Sequence, residues 1–166
     1  MHLIVIAHNI RSTHNVGAIF RTCDAFGVEK LVLTGYTPYP SAVEDDRLPY
    51  IQQKVTAKIH KTALGAENTV HFEHVSQVDF TMLRHDGYHI VGLEQSPRSI
   101  PLQTYNAPAK IALILGEERY GISYELMSQC DDLVEIPMYG KKESLNVSVA
   151  TGITLFYLQV IVPCTL

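Results

Sequence analysis

Short runs of consecutive apolar residues recur along the chain, separated by stretches of helical periodicity. Leu3-Ile4-Val5-Ile6 is an apolar run of strand length. From His14 to Phe26 the residues Val16, Ile19, Phe20 and Cys23 fall on one side of a helix, and Gly27 stands where a helix C-terminus favours glycine. A second strand is predicted over 30–34, closed by Gly35, and a loop with Pro38, Pro40 and the acidic Glu44-Asp45-Asp46 follows. Further on, the pattern predicts a helix near 50–62, a short strand over 69–72 and a short helix over 77–84. Strands are expected over 88–93, 111–115 and 133–136, the last ended by Pro137. A charge-free stretch from Ser144 to Leu166 reads as a closing helix, buried on nearly all sides.

Strands and helices alternate throughout, and several strands are continuous apolar runs, as when both faces of a sheet are covered. The pattern is that of an α/β domain with a mostly parallel sheet flanked by helices. One domain over 1–166 accounts for the whole pattern, with no internal repeat. The charge-free stretch has nearly the length of a membrane span. Its Ser144, Asn146, Ser148, Thr151, Gly152, Thr154, Gln159 and Pro163, and the absence of a basic cluster at its flanks, argue against one. Charged residues make up only 18%, against roughly 25% in a globular average. Extra surface is therefore expected to be buried against a second subunit, with the charge-free helix between core and partner.

A net charge of −4 argues against a non-specific nucleic-acid binder, though not against an RNA enzyme with a local basic patch. Three cysteines, Cys23, Cys130 and Cys164, with no CxxC pair, exclude a disulfide framework or zinc ribbon and favour a reducing, cytoplasmic location. The apolar N-terminus lacks the basic start and cleavage site of a signal peptide. Common nucleotide and hydrolase fingerprints also fail. No GxGxxG follows a strand, so a nucleotide-dependent oxidoreductase is disfavoured, and there is no GxSxG elbow. Gly116 to Gly121 has P-loop spacing, but Ile122 stands where the phosphate-binding lysine belongs. His71 and His74 lack the HExxH pattern, and no metal site is expected.

Three segments remain, each beside a strand end, where ligands bind in open α/β sheets. In the first, Asn15 sits at the mouth of a helix as a candidate cap, and Arg21 lies between Gly17 and Ala25, small neighbours that would leave room around its guanidinium. In the second, Gly116 directly follows an apolar strand and would admit a ligand close to the backbone, and Ser123 is a candidate cap for the next helix. In the third, a loop with Lys141 and Lys142 leads into Ser144-Leu145-Asn146, with Ser144 as candidate cap and Asn146 as a buried polar neighbour.

Together these segments resemble the SpoU/TrmH branch of the SPOUT methyltransferases. The family's N-x-G-x-x-x-R motif is matched by Asn15, Gly17 and Arg21. Its G-x-E-x-x-G motif is matched by Gly116, Glu118 and Gly121, and its Ile-Pro-Met segment with S-L-N-V-S by Ile136 to Ser148. The segment from Val91 to Ser96 is similar to the strand end that precedes these motifs. The resemblance implies an α/β fold whose C-terminal part forms a deep trefoil knot. It also implies S-adenosylmethionine bound by Leu93, Glu94, Gly116, Ile136, Met138, Ser144 and Leu145, and methyl transfer to a ribose 2′-hydroxyl of RNA. Arg21 would orient the hydroxyl and a phosphate, with Asn15, Glu118, Ser144 and Asn146 positioning it. Arg11, Arg21, Arg119, Lys141 and Lys142 would gather in one RNA-binding groove. The resemblance further implies a homodimer through the charge-free helix, with both subunits contributing to the site. No accessory RNA-binding domain is expected, so the substrate must be chosen by the domain surface and the dimer. Transfer RNA is the first expectation and ribosomal RNA the second, with a catalytically silent RNA-binding protein of the same fold as the rival.

Overall fold

A computed structural model of the chain describes residues 1–162, so Pro163, Cys164 and the end of the charge-free stretch lie outside the described residues. The described residues form a seven-stranded sheet in the order β3-β2-β1-β6-β4-β7-β5, with every pair parallel. The strands are β1 (His2–His8), β2 (Lys30–Thr34), β3 (Phe72–Val75), β4 (His89–Leu93), β5 (Ile100–Pro101), β6 (Lys110–Leu115) and β7 (Asp132–Glu135). The expected α/β architecture is therefore present.

Alternation along β1 divides the core into two layers. Leu3, Val5 and Ala7 pack with Val16, Ile19, Phe20, Ile59 and Leu155, from helices α1 (Thr13–Ala25), α2 (Pro49–Ala63) and α5 (Val147–Phe156). Ile4 and Ile6 join Val32, Ile90, Ala112 and Ile114 on the opposite face, under Phe80, Leu83, Leu126 and Met127 of the short helices α3 (Phe80–His85) and α4 (Tyr124–Met127). With helices on both faces, a strand has no polar side to show, which explains the unbroken apolar runs.

Local details depart from the sequence reading. The N-cap of α1 is Ser12, whose hydroxyl accepts from Asn15 N at 3.3 Å, so Asn15 lies inside the first turn. Gly17 opens no space beside Arg21. It is buried against α2, where an added Cβ would lie 2.2 Å from Thr62 Oγ1 and 2.3 Å from the Ile59 carbonyl oxygen. The strand expected over 69–72 begins later, because Val70 N still donates to Ala66 O at 2.9 Å and holds 66–70 in a helical turn. β5 escaped the pattern because it has only two residues. Its Pro101, which cannot donate to a ladder, sits at the sheet edge as expected for proline.

α5 starts at Asn146 and not Ser144, with the Asn146 side chain accepting from Ser148 N at 3.0 Å. It continues through a wider π-helical turn, Tyr157–Ile161. α5 packs on α1 through the edge-to-face pair Phe26–Phe156, and Gln159 Nε2 donates to Phe26 O at 3.0 Å. Its outer side carries the exposed Val149, Ile153, Phe156, Val160 and Ile161, so the helix is buried on one side only, and not on nearly all sides as expected. No described helix is long and apolar enough to cross a membrane.

Candidate active site

The loops that follow β1, β4, β6 and β7 all leave the same edge of the parallel sheet. The loop after β6 is closed on itself, with Glu117 N donating to Gly121 O at 3.0 Å and Gly121 N to Glu117 O at 2.8 Å. It requires glycine at both ends. A Cβ on Gly116 would lie 2.3 Å from the Gly121 carbonyl carbon, and Gly121 has φ +68°. Glu94, at the end of β4, clasps this loop: its Oε2 accepts from Ile122 N at 2.7 Å and presses against Gly121. Gln95 Nε2 then donates to Glu143 O at 2.8 Å, tying the β4 end to the segment before α5.

Between these loops lies a cleft of about 290 Å³, at the small end of the roughly 300–1,000 Å³ of small-molecule sites. Leu93, Glu94, Gly116, Ile136, Met138, Ser144 and Leu145 all line it. The apolar patch formed by Leu93, Ile136, Met138 and Leu145 fits the adenosine portion of a nucleoside cofactor, within a lining that also carries Glu117, Glu118, Arg119, Glu135 and Glu143. The Glu94 carboxylate is directed at the loop backbone, so its contribution to the cleft is to hold the wall in place.

A polar chain runs from Glu118 of the cleft lining to the starts of α1 and α5, and its Asn15 and Asn146 do not themselves line the cleft. Glu118 Oε2 accepts from Arg11 N at 3.1 Å, and its Oε1 accepts from Ser12 N at 3.3 Å and from Asn15 Nδ2 at 2.9 Å. Asn15 Oδ1 accepts from Asn146 Nδ2 at 3.2 Å, and Asn146 Oδ1 accepts from Ser148 Oγ at 2.6 Å. α1 and α5 therefore start side by side, with the positive ends of their dipoles toward this chain. Burial raises the pKa of Glu118, but donors from Arg11, Asn15 and Ser12 outweigh it and hold the carboxyl below its usual range. Glu118 is thus an ionised acceptor. Asn146 is exposed, not buried as its sequence context implied.

The expected cationic groove is only partly assembled among the described residues of the chain. Arg119 lines the cleft, its guanidinium 5.5 Å from the Tyr120 ring centroid. Arg11 contributes its backbone to Glu118 and exposes its side chain. Arg21 is exposed on α1, and Lys141 and Lys142 are exposed between β7 and α5; none of these three lines the cleft. Among the described residues no cluster of three potential metal ligands exists.

Sequence reasoning missed a second structure at the ends of β1 and β2. Asn9 adopts φ +57°, its Oδ1 accepts from Tyr36 N at 3.2 Å, and its Nδ2 donates to His8 Nε2 at 2.9 Å. His8 Nδ1 pairs with Thr34 Oγ1 at 2.8 Å. An asparagine directly after a strand, with a glycine closing the neighbouring strand, was the available signal.

Residues 2–156 match the SpoU rRNA Methylase family. The chain is 37% identical over 157 residues to a 23S rRNA (guanosine-2′-O-)-methyltransferase of Nitrosomonas europaea, covering 93% of this chain and 54% of that protein, so it spans about half the length of this relative. Among solved structures, the A. aeolicus TrmH/SpoU tRNA modifying enzyme superposes with a TM-score of 0.76 at 32% identity, covering 95% of this chain and 73% of that one. An AdoMet-bound rRNA methyltransferase from Sinorhizobium meliloti shares the fold, with a TM-score of 0.75 at 24% identity over 93% of this chain and 54% of that one.

Proposed function

The chain belongs to the SpoU rRNA methylase family, and from that membership and the geometry of the cleft we propose that it transfers a methyl group from S-adenosylmethionine to a ribose 2′-hydroxyl of RNA. The observation that carries this reading is the polar chain Glu118–Asn15–Asn146, which leads from the lining of the loop-walled cleft to the starts of two helices. Bound in the cleft, the sulfonium cofactor supplies an already activated methyl group. What the protein must add is alignment of the hydroxyl and electrostatic support as its proton is lost.

The cleft residues named above hold the cofactor, largely by backbone groups. Asn15 and Asn146, locked to each other and to ionised Glu118, fix the two helix starts where the ribose enters. Ser144, on the cleft wall, positions the hydroxyl. Arg21 orients the hydroxyl and a neighbouring phosphate, easing proton loss. Its place outside its own subunit's cleft accords with a homodimer in which both subunits build the site. The exposed stripe Val149, Ile153, Phe156 and Val160 on α5 supports such a pairing, since water-exposed apolar rows of this kind mark interfaces.

The C-terminal threading is a deep trefoil knot in this reading. Its support is that β7 lies between β4 and β5, which are joined directly by the segment 94–99, and that Gln95 is bonded to Glu143 on the outgoing chain. The unpaired thiols of Cys23 and Cys130 accord with a reducing, cytoplasmic setting. Transfer RNA is the favoured substrate and ribosomal RNA the second, the A. aeolicus relative being named for the former and the N. europaea relative for the latter.

The test is calorimetry with S-adenosylmethionine followed by nucleoside mass spectrometry of RNA from cells with and without the protein. Cofactor binding and loss of one mapped 2′-O-methyl are expected. Absence of cofactor binding, with and without RNA, would overturn the reading. Arg21→Ala should abolish transfer while cofactor affinity stays near wild type, and full activity would show that Arg21 has no part in catalysis.

A further inference from the structure

Two exposed tyrosines stand on loops at the sheet edge that carries the cleft, Tyr120 on the cleft lining and Tyr36 outside it, and neither has a part in methyl transfer as described above. Tyr36 is 56% exposed and Tyr120 is 77% exposed. Topology places them on neighbouring loops. Tyr36 follows β2, the segment Asn9–Ser12 follows β1, and Tyr120 lies in the 116–121 loop after β6, with β1 paired to both other strands. Arg11 N and Ser12 N join the β1 loop to Glu118, in the same loop as Tyr120.

The backbone under Tyr36 is held by a device that touches nothing in the cleft. Asn9 takes the left-handed conformation, which costs a non-glycine residue energy, and uses it to receive Tyr36 N. The Asn9 amide leans on His8, and His8 on Thr34. Gly35 has φ +64° and packs so close to Asn9 that a Cβ would meet Asn9 Oδ1 at 1.9 Å. Four residues thus fix the base of a side chain whose ring remains in water. The Tyr36 hydroxyl is pushed above its usual range by partial desolvation, then by the negative charge of Glu117, with Arg11 opposing and Glu118 adding.

We propose that Tyr36 and Tyr120 form an aromatic platform that stacks an unpaired base of the RNA substrate, next to the ribose to be methylated. This rests on the RNA methyltransferase reading above. Single-stranded RNA is recognised chiefly by stacking splayed bases on aromatic rings. The chain carries a net charge of −4, so phosphate attraction alone is a weak source of affinity, and stacking supplies what charge does not. Arg119, beside the Tyr120 ring, adds a planar cation on the same side.

The test uses fluorescence anisotropy with a fluorescein-labelled single-stranded RNA of mixed sequence and with unfractionated transfer RNA, alongside S-adenosylmethionine calorimetry on each variant. Tyr36→Ala and Tyr120→Ala should each weaken RNA binding about tenfold. Tyr36→Phe and Tyr120→Phe should retain it, because the ring and not the hydroxyl does the stacking. Cofactor affinity should be unchanged in both Tyr36 variants, whose side chain lies outside the cleft lining. The slope of log affinity against log salt should stay constant, since no cation is removed. Wild-type RNA affinity in both alanine variants would overturn the platform while leaving the methyltransferase reading intact. A wild-type protein that binds the cofactor but neither RNA would overturn both.

Discussion

Asn15 and Asn146, 131 residues apart in sequence, meet side chain to side chain, the Asn146 amide donating to the Asn15 carbonyl oxygen at 3.2 Å. This contact joins the start of α1 to the start of α5, and it continues through Asn15 Nδ2 to the Glu118 carboxylate. Two helices that pack along their length are thereby also fixed in axial position. In the proposed reaction, that axial position would set where the ribose meets the cofactor.

Asn146→Ala should cost about 1 kcal/mol of stability through loss of the α5 cap. Asn15→Ala should cost less. A double-mutant cycle by urea denaturation should return a coupling of roughly 0.5–1 kcal/mol. Single-turnover methyl transfer should fall by about a hundredfold in either variant, as expected for loss of alignment. Strict additivity of the two stability changes would show that the contact carries no energy.

Glu118 should leave a signature in acid. Its folded pKa lies below the ordinary 4.5, so its contribution to stability is fully present above about pH 4.5 and is lost as pH falls through the depressed value. Melting temperature against pH should therefore drop less steeply below that point in Glu118→Gln than in wild type. Parallel curves would refute the assignment.

His8 acts at milder pH. Burial pushes its ring below the ordinary 6.5, and its Nε2 receives the Asn9 amide, which requires the neutral form. The unfolded chain binds this proton more readily. Stability linked to His8 is thus intact above about pH 6.5 and declines as pH falls from there through the folded value. His8→Gln should flatten the melting curve in this window, measured by scanning calorimetry across it.

Gly17→Ala and Gly116→Ala should separate fold from site. The first forces a methyl into the α1–α2 contact and should destabilise by about 1–3 kcal/mol with cofactor affinity unchanged. The second drives a methyl into the Gly121 backbone and should impair S-adenosylmethionine binding in calorimetry.

In the proposed dimer, Ile153→Lys would bury a charge in the middle of the α5 stripe. Sedimentation velocity should then show monomer, with methyl transfer lost and the fold retained by circular dichroism. A stable dimer in this variant would place the interface elsewhere.

The layered order of the fold was legible because it is written in short-range periodicity. Unbroken runs such as Ile111 to Leu115 mark strands covered on both faces, and the stripe Val16, Ile19, Phe20 and Cys23 marks the helix between them. The motif residues then named a set, Leu93, Glu94, Gly116, Ile136, Met138, Ser144 and Leu145, all of which line one cleft. The two-residue β5 carried no period to detect.

What the sequence by itself determined was therefore the kinds of elements, their order and the residue types at strand ends, since each depends on neighbours a few positions away. Tertiary structure alone decided what those residues touch. Ser12 and Asn146 cap the helices because backbone dihedrals at the chain entry, set by distant packing, place their oxygens over the first turn. Gly17 is small for the sake of α2 and not for Arg21, because α2 arrives from more than forty residues later to fill the space. Asn15 finds Asn146 on one side and Glu118 on the other only when three loops converge at the edge of a parallel sheet. Contacts of that kind depend on sheet order and register, which no local pattern encodes.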